Sequence, residues 1–450
     1  MLKEYFLLPE KKSSVKIEVI AGLTTFLTMA YIIFVNPSIL SLEGTDPEML
    51  AGIETMDKKA IVAATCLATA AATLIVGIVA NAPIAMAPGM GLNAFFASLV
   101  ISGRMHWQTA LGAVFISGFL FFILTILGLR KKLVEAIPRS LISAIAVGIG
   151  LFITFIGLKN LGMVVADKQT FVKAGPMTAE ILIGLSGLVV MVIFEMKKVS
   201  GGLVAGILVS TIISVLLGKA PMPPEFITLH LDIRPIALQL DIVGALKWGF
   251  FGTIFTLMFM DMFDSIGTLV ACCHQAKMVD ENNNIKGLDR LLSIDALATM
   301  IGSVLGTSTT TSYIESAAGI EQGGRTGLTA IVTAVCFLLA LLFVPVIAIV
   351  PPYATAPALI MVGLFMAKEI KAIDFSNFEQ AFPAFIIIVM IALSYSISTG
   401  LAFGFISFTI IKIMAGRIKD VRLTMWIIAA LSLLFLSIEQ ISILLEYLKS

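Results

Sequence analysis

The stretch NAPIAMAPGMGLNAFF (residues 81–96) lies among long apolar segments, yet it does not have the sequence of a continuous helix. Two prolines and two glycines fall within its first eleven residues. Proline removes a backbone donor and glycine costs conformational entropy, so both residues interrupt helices. The pattern predicts a short extended piece that leads into a half-helix from Met90 to Val100.

A second interrupted stretch, GTSTTTSYIESAAGIEQGG (residues 306–324), begins 225 residues after the first, which is half the length of the 450-residue chain. Its run of serine and threonine favours an extended conformation, and a second half-helix is predicted from Ile314 to Ile320. Non-helical backbone at membrane depth is tolerated only where protein covers it or where it lines a wet cavity. Two surface loops are the alternative interpretation, but the matched spacing favours an internal repeat.

The composition is that of a membrane protein. Hydrophobic residues make up 58% of the chain, charged residues make up 13%, and the mean hydropathy is +1.03. Soluble domains carry about 45–50% apolar and about 25% charged residues, so we expect an all-α polytopic protein surrounded by lipid. The net charge of +1 gives no reason to expect a nucleic-acid partner. The four cysteines show no CxxC spacing, and neither a metal site nor a cofactor is expected.

A crossing helix needs about 20 mostly apolar residues. Twelve segments meet this requirement, and the two interrupted stretches raise the number of predicted crossings to fourteen. The twelve segments are residues 17–41, 59–80, 107–128, 134–158, 178–196, 201–218, 246–274, 289–305, 326–349, 354–370, 379–396 and 399–415, and the interrupted third and tenth crossings are 82–101 and 307–323. A further apolar stretch, 425–445, either spans the membrane or lies along its surface.

The loop charges indicate the orientation of the chain. Most basic residues fall in loops that are cytoplasmic if the N-terminus is cytoplasmic, whereas loop 42–57 on the other side holds five acids and no base. Lys159, Lys168 and Lys173 are exceptions to this bias. Because seven crossings is an odd number, a repeated half must be inverted in the membrane. Matching interrupted segments in an inverted repeat indicate the binding site of a transporter.

The eighth crossing contains FTLMFMDMFDSIGTLVACC (residues 255–273), in which Asp261, Asp264 and Thr268 fall on one helical face. A carboxylate at the bilayer centre costs about 2.5–3.5 kcal/mol, so these positions indicate a function. Glu315 adds a third acid at the start of the second half-helix. Such acids accept hydrogen bonds when ionised and donate them when protonated, which suits both a neutral heterocycle and proton coupling. Bonds to hydroxyls or carbonyls across a helix–helix seam are the structural alternative.

The half-helix ends should add further polar contacts. Free backbone N–H groups near Met90 and Ser316 would point into the cavity and carry a partial positive charge. Asn93, on the first half-helix, is either an amide donor and acceptor for a ligand or a bridge between neighbouring helices.

Five long motifs are spread over essentially the whole chain. They are AGLTTFLTMAYIIFVNP (21–37), PIAMAPGMGLNAFFA (83–97), FDSIGTL (263–269), SYIESAAGIEQGGRTGLTA (312–330) and PYATAPAL (352–359). Together they resemble the AzgA-like purine permeases of the nucleobase–cation symporter-2 family, within the nucleobase/ascorbate transporter group.

The resemblance implies two inverted seven-span repeats, with short β-strands in the third and tenth crossings. It also implies core and gate domains with an elevator-like motion, often within a homodimer. The implied units are a cytoplasmic N-terminus (1–16), core segments 17–128 (spans 1–4) and 246–349 (spans 8–11), gate segments 129–218 (spans 5–7) and 354–416 (spans 12–14), and a C-terminal basic linker with an apolar segment (417–450).

The resemblance further implies proton-coupled import of purine nucleobases across the plasma membrane, with no enzyme activity. Asp264 and Asp261 match the two acids of the family's eighth span, Glu315 matches the acid of the tenth, and Asn93 matches the amide of the third. The expected substrate-binding residues are Asp264, Glu315, Asn93, Asp261, Thr268, Tyr313, Ser316, Gly89 and Met90. Asp264, Glu315 and Asp261 are also the expected proton-coupling residues.

Two other functional classes are alternatives. A membrane enzyme could hold Mg²⁺ on the Asp-x-x-Asp pair and act on a diphosphate, but that chemistry usually needs a second acidic cluster and cationic clamps. An anion carrier of the same fold is the other alternative, although a carboxylate-lined site argues against it. The sequence leaves open the preferred base, among adenine, hypoxanthine and guanine, the choice between H⁺ and Na⁺, and the oligomeric state.

Overall fold

The structure is a computed structural model, and it describes residues 2–45, 48–128, 137–223, 225–229, 231–278, 285 and 287–447. The helices are α1 (Leu2–Tyr5), α2 (Val15–Met29), α3 (Ile32–Leu40), α4 (Lys58–Ile75), α5 (Met90–Ile101), α6 (Trp107–Ile126), α7 (Arg139–Leu161), α8 (Ala179–Met196), α9 (Gly202–Leu216), α10 (Ile242–Ala245), α11 (Phe251–Gln275), α12 (Leu288–Leu305), α13 (Ser316–Glu321), α14 (Gly327–Ala340), α15 (Val344–Ala348), α16 (Pro352–Ala367), α17 (Phe378–Leu393), α18 (Ile397–Met414) and α19 (Leu423–Tyr447). The strands are β1 (Met86–Pro88), β2 (Val164–Asp167), β3 (Phe171–Ala174) and β4 (Thr310–Ser312). A π-helical segment, Val76–Ala80, continues α4.

The helices coincide with the predicted crossings. Within the described residues, nine helical segments are long and apolar enough to cross a membrane by length and composition. Shorter apolar helices, including α5, α9 and α17, occupy other predicted crossings. The predicted start of the fifth crossing, residue 134, lies outside the described residues. The mostly helical membrane fold, with strands β1 and β4 in the two interrupted crossings, is confirmed.

Three details differ from the sequence-based expectation. The first crossing is divided at Ala30–Tyr31 into α2 and α3. The second half-helix begins at Ser316 rather than at Ile314, because the Tyr313 N–H continues the strand ladder by donating to the Ala85 carbonyl at 3.0 Å. Glu315 is therefore the N-cap residue of α13. The β2–β3 hairpin, which follows α7, was not expected.

The two interrupted crossings meet through their strands. β1 and β4 pair antiparallel, with Met86 opposite Ser312 and Pro88 opposite Thr310. The Gly89 N–H extends the ladder at the other end by donating to the Thr309 carbonyl at 2.9 Å. The pairing joins one strand from each half of the chain, as an inverted repeat requires, and it satisfies backbone groups that lipid could not.

The helices pack in two groups. In one group α14 packs against α2 and α4, and α6 packs against α12. In the other group α7 packs against α16 and α17, α17 packs against α18, and α8 packs against α9. Contacts between the groups include α5 against α7 and α11 against α18. The C-terminal helix α19 packs against α18.

The β2–β3 hairpin is held by its turn. Lys173 forms an ion pair with Asp167, with Nζ and Oδ2 2.8 Å apart. The pKa of Asp167 is lowered to about 2, chiefly by Lys173 and then by the backbone N–H groups of Thr170 and Gln169. Asp167 is therefore ionised at neutral pH, and the turn keeps its ion pair.

Glycines allow the closest helix contacts. A Cβ on Gly327, the first residue of α14, would lie 1.9 Å from the carbonyl oxygen of Gly77. Two helical segments can approach this closely only where both contact positions are glycine.

We expect Gly327→Val to destabilise the protein, because its side chain would force α14 away from the end of α4. Overpacking of this kind costs about 1–3 kcal/mol. The measurement is the thermal unfolding midpoint of the purified protein in detergent. Gly249→Val is the control, since a Cβ there would meet nothing within 4 Å. Equal midpoints for the two variants would contradict the close approach.

Candidate functional site

Asp264 lies beside the start of the first half-helix. Its Oδ2 is 3.7 Å from the position that a Cβ on Gly89 would occupy, and that Cβ would also lie 2.9 Å from Thr311 Cγ2. Gly89 is the N-cap of α5 and supplies no side-chain hydrogen bond to the helix. The first N–H groups of α5, beginning at Met90, therefore lie close to a carboxylate, and a helix N-terminus favours such negative charge or a hydrogen-bond acceptor.

Glu315 lies at the start of the second half-helix and is held by a tyrosine. The Tyr31 hydroxyl donates to Glu315 Oε1 at 2.6 Å. Tyr31 is 1% exposed, whereas Glu315 is only partly buried. The bond fixes the Glu315 carboxylate at the start of α13.

The two acids and two tyrosines form one group. Asp264 and Glu315 lie near each other, and Tyr31 and Tyr313 lie near both acids. The Tyr313 hydroxyl donates to the Pro88 carbonyl at 2.5 Å, so it connects this group to β1. Two neighbouring carboxylates repel when both are ionised. A ligand with N–H donors, or a proton, relieves that repulsion.

One face of α11 is uncovered from Asp264 onward. Asp264, Gly267, Ala271 and His274 are all exposed, and their spacing places them along one side of the helix. A Cβ on Gly267 would meet nothing within 4 Å. Asp264 is therefore accessible along the face of α11 that continues to the C-terminal end of this helix.

The opposite side of the site is closed by apolar contacts. The rings of Phe259 in α11 and Phe405 in α18 are 5.5 Å apart between centroids. Ile149 of α7 packs on Gly91 of α5, where a Cβ would lie 2.7 Å from Ile149 Cγ2. These contacts join the two groups of helices on the side away from the open face.

Three of the expected substrate-binding residues lie behind the exposed face. Asp261 is 0% exposed and accepts a hydrogen bond from the Thr299 hydroxyl at 2.9 Å. Asn93 is also 0% exposed, and its Oδ1 accepts from the Ser308 hydroxyl.

Ser316 is the third of these residues. It is fully buried, its hydroxyl accepts from the Ala85 N–H at 3.0 Å, and its own N–H donates to the Tyr313 carbonyl at 3.2 Å. In this conformation all three residues support the two strands. Thr268 is partly buried, one turn beyond Asp264.

Sequence reasoning missed Tyr31 and Asp295. Asp295 of α12 is 0% exposed, and it accepts hydrogen bonds from the Ser265 hydroxyl and, at 2.9 Å, from the Ser312 N–H. The desolvation argument that selected Asp261 applies equally to Asp295 and would have found it. Tyr31 gave no such signal, because an aromatic residue in an apolar crossing is usually a packing residue.

The described side chains offer no obvious metal site. Within that part of the chain, no three His, Cys, Asp or Glu residues come together in a way that could hold an ion. The site is instead a set of hydrogen-bonding groups: carboxylates, phenols and the N–H groups of a helix end.

Comparisons with known proteins identify the family. A family model described as "Permease family" matches residues 16–403. The chain belongs to this family. Adenine permease AdeQ of Escherichia coli is 39% identical over 432 residues, which cover 96% of this chain and 95% of that protein. Guanine/hypoxanthine permease PbuG of Bacillus subtilis is 41% identical over 431 residues, which cover 94% of this chain and 97% of that protein.

A solved structure shares the fold. The transmembrane domain of the cyanobacterial bicarbonate transporter BicA matches with a TM-score of 0.61 and 16% identity, over 85% of this chain and 96% of that chain. At that identity the likeness concerns the fold alone.

Membership of the permease family confirms the resemblance drawn from the five motifs. It also decides between two of the functional classes considered above. The family and the two named relatives are permeases, so the protein is a transporter and not a diphosphate enzyme.

We expect Thr299→Val to lower the stability of the protein. The substitution keeps the shape of the side chain but removes the donor to the buried Asp261 carboxylate, which costs about 1–3 kcal/mol. The thermal unfolding midpoint in detergent measures the loss. Thr24→Val is the control, because the Thr24 hydroxyl donates to Ile20 of its own helix at 3.0 Å. The same hydroxyl also lies 3.0 Å from the Thr310 carbonyl, so an unchanged midpoint for Thr299→Val would show that neither contact stabilises the protein.

Proposed function

We propose that this permease imports a purine nucleobase: adenine, hypoxanthine or guanine. The observation that carries the proposal is the pairing of two accessible acids, Asp264 and Glu315, with the start of a half-helix. The relatives support it, since one is named an adenine permease and another a guanine/hypoxanthine permease. Their identities of 39% and 41% are nearly equal, so the proposal covers all three bases.

The chemistry of a purine suits this set of groups. Purines carry N–H donors, which would bond to the carboxylates of Asp264 and Glu315. They also carry ring nitrogens, and in some cases a carbonyl, which would accept from the N–H groups of α5 near Met90. Affinity in such sites comes from a few polar contacts combined with packing of the ring in an apolar slot.

We further propose that transport is coupled to protons through the same acids. A proton and a purine together would neutralise Asp264 and Glu315, and a neutral site moves past apolar surfaces more easily than a charged one. Asp261 is buried one turn from Asp264 and belongs to the proposed set of proton-coupling acids.

The two groups of helices are the proposed moving parts. The group that contains the strands and acids would be the core domain (17–128 and 246–349), and the other would be the gate domain (129–218 and 354–416). The contacts that join them near the site, Phe259 with Phe405 and Gly91 with Ile149, are apolar and can slide. An elevator-like motion of the core against the gate would then expose the acids alternately on each side.

The proposal includes an orientation and a location. We place the N-terminus in the cytoplasm and the chain in the plasma membrane, with a homodimer as the assembly to be tested. The open face of α11 then leads to the cytoplasm, because α11 ends beside the basic segment that contains Lys277.

An anion carrier is the second candidate, since the bicarbonate transporter shares the fold. The described contacts of Asp264 and Glu315 include no lysine or arginine. Carboxylates without a cationic partner repel an anion, so the site favours a neutral cargo.

We expect Asp264→Asn and Glu315→Gln each to abolish purine uptake while the protein remains in the membrane. Each change removes a charged acceptor, which costs about 1.5–3 kcal/mol, or roughly tenfold to a hundredfold in affinity. It also removes a group that would take up the coupled proton, so the remaining weak binding would not drive uptake. Uptake of radiolabelled adenine, hypoxanthine and guanine in cells without their own purine carriers is the measurement. The matched controls are Asp289→Asn and Glu321→Gln, at exposed positions. Wild-type uptake by either site variant would remove that acid from the proposed site.

Proton coupling predicts that an uncoupler abolishes purine accumulation, whereas replacement of Na⁺ by choline leaves it intact. The reason is that the energy for accumulation would come from the proton gradient alone. The assay is accumulation at two pH values, with the Asp264→Asn variant giving the background. Accumulation that survives the uncoupler but needs Na⁺ would replace the proton with sodium in the mechanism.

A further inference from the structure

A cavity lies at the other end of the first half-helix, away from the acids. It has a volume of about 460 Å³ and is bounded by the last turns of α5, by α7, by the β2–β3 hairpin and by the link between α17 and α18. We call it the hairpin cavity. The side chains that matter for the argument are Phe95, Ser98, Phe155, Phe171, Ser394 and Tyr395.

The lining of the hairpin cavity combines aromatic rings with hydroxyls. Phe155 and Tyr395 form an edge-to-face pair with centroids 6.2 Å apart, and Phe152 supports Tyr395 from α7 at 4.9 Å. Ser98 is partly exposed on α5. The Ser98 and Ser394 hydroxyls donate to the Phe95 and Met390 carbonyls, so each can accept a hydrogen bond from a ligand N–H. Rings and hydroxyls together suit a flat heterocycle, which stacks on the rings and donates its N–H groups to the hydroxyls.

The cavity differs from the acid site in charge. No Asp or Glu is among its described lining residues. Arg104 and Lys159 also line it, but each already interacts with another part of the chain. A ligand there would be held without any carboxylate, and therefore more weakly than one bonded to Asp264 and Glu315.

The cavity and the acid site share one helix. Phe95 is six residues from Gly89 and Ser98 is nine residues from it, which is about 9 Å and about 14 Å along α5 at 1.5 Å per residue. Between them, Leu92 is 2% exposed and Ile149 packs on Gly91. A thin apolar layer therefore separates the two spaces.

We propose that the hairpin cavity is a second, outer binding site for the same purine that the permease carries. The inference rests on the proposed function, because its position on the route to Asp264 is what identifies the occupant. The base stacks between the aromatic side chains of α5, α7 and the α17–α18 link. When α7 moves off Gly91, the base passes along α5 to the acids.

The test is equilibrium binding of radiolabelled adenine, hypoxanthine and guanine to the purified full chain in detergent. The wild type should show a tight and a weak saturable component, and Asp264→Asn should keep only the weak one. Adding Ser98→Trp, which fills the cavity, should weaken that component at least tenfold. Gln169→Trp in the same background is the control, since it places the same ring at the exposed hairpin turn outside the cavity.

Size-exclusion chromatography shows whether the Ser98→Trp variant is folded. A second pair of variants, at Tyr395, tests the cavity without adding a bulky side chain. In the Asp264→Asn background, Tyr395→Ala should weaken the remaining binding more than Tyr395→Phe, which keeps the ring. The proposal is overturned if Asp264→Asn shows no saturable binding, or if that binding is unchanged by both Ser98→Trp and Tyr395→Ala. A wild type that binds no purine at all would instead refute the proposed function.

Discussion

Backbone polar groups at membrane depth have to be bonded within the protein, and this constraint shapes the centre of the permease. β1 and β4 satisfy each other along one edge. Side chains of neighbouring helices bond to the backbone groups on the outer edges of the two strands. The Thr73 hydroxyl accepts from the Met86 N–H and donates to the Met86 carbonyl, and the Thr299 hydroxyl donates to the Thr310 carbonyl. A two-stranded sheet inside a helical bundle is therefore possible only because neighbouring helices supply donors and acceptors at matching positions.

The same requirement divides the acids by role. Asp295 accepts the Ser312 N–H, and Asp261 bonds to the Thr299 hydroxyl that also holds β4. Both carboxylates are fully buried and support the sheet. Asp264 of α11 lies beside Gly89, where β1 leads into the first half-helix, and it is exposed. Glu315 is the N-cap of the second half-helix and is partly exposed. Position relative to the sheet, and not residue type, separates the two buried supporting acids from the two acids that we propose to bind the ligand.

The contacts around the acids are unequal on the two sides. Directional hydrogen bonds connect the acids, tyrosines and strands, so this part should behave as a rigid unit. Apolar contacts such as Phe259 with Phe405, and Ile149 on Gly91, join that unit to the second group of helices. Apolar contact is non-directional, so these surfaces can shift without breaking polar pairs. The open face of α11 and the hairpin cavity are separated by this apolar layer, so the proposed motion would have to shift it.

The crossings, the repeat and the presence of acids at membrane depth could be predicted from the amino-acid sequence, because apolar length, charge placement and residue type are local properties. Which acids are accessible could not be read, because burial depends on distant partners. Asp261 and Asp264 share a helical face, but Asp261 is fully buried and bonded to Thr299 of α12, whereas Asp264 is exposed. Nothing in the sequence indicated that Tyr31 bonds to Glu315, because the two residues are 284 positions apart and meet only in the folded protein. The β2–β3 hairpin lies in a loop without strong apolar periodicity, so the sequence did not predict it. The hairpin cavity could not be predicted either, because its lining residues come from distant parts of the chain.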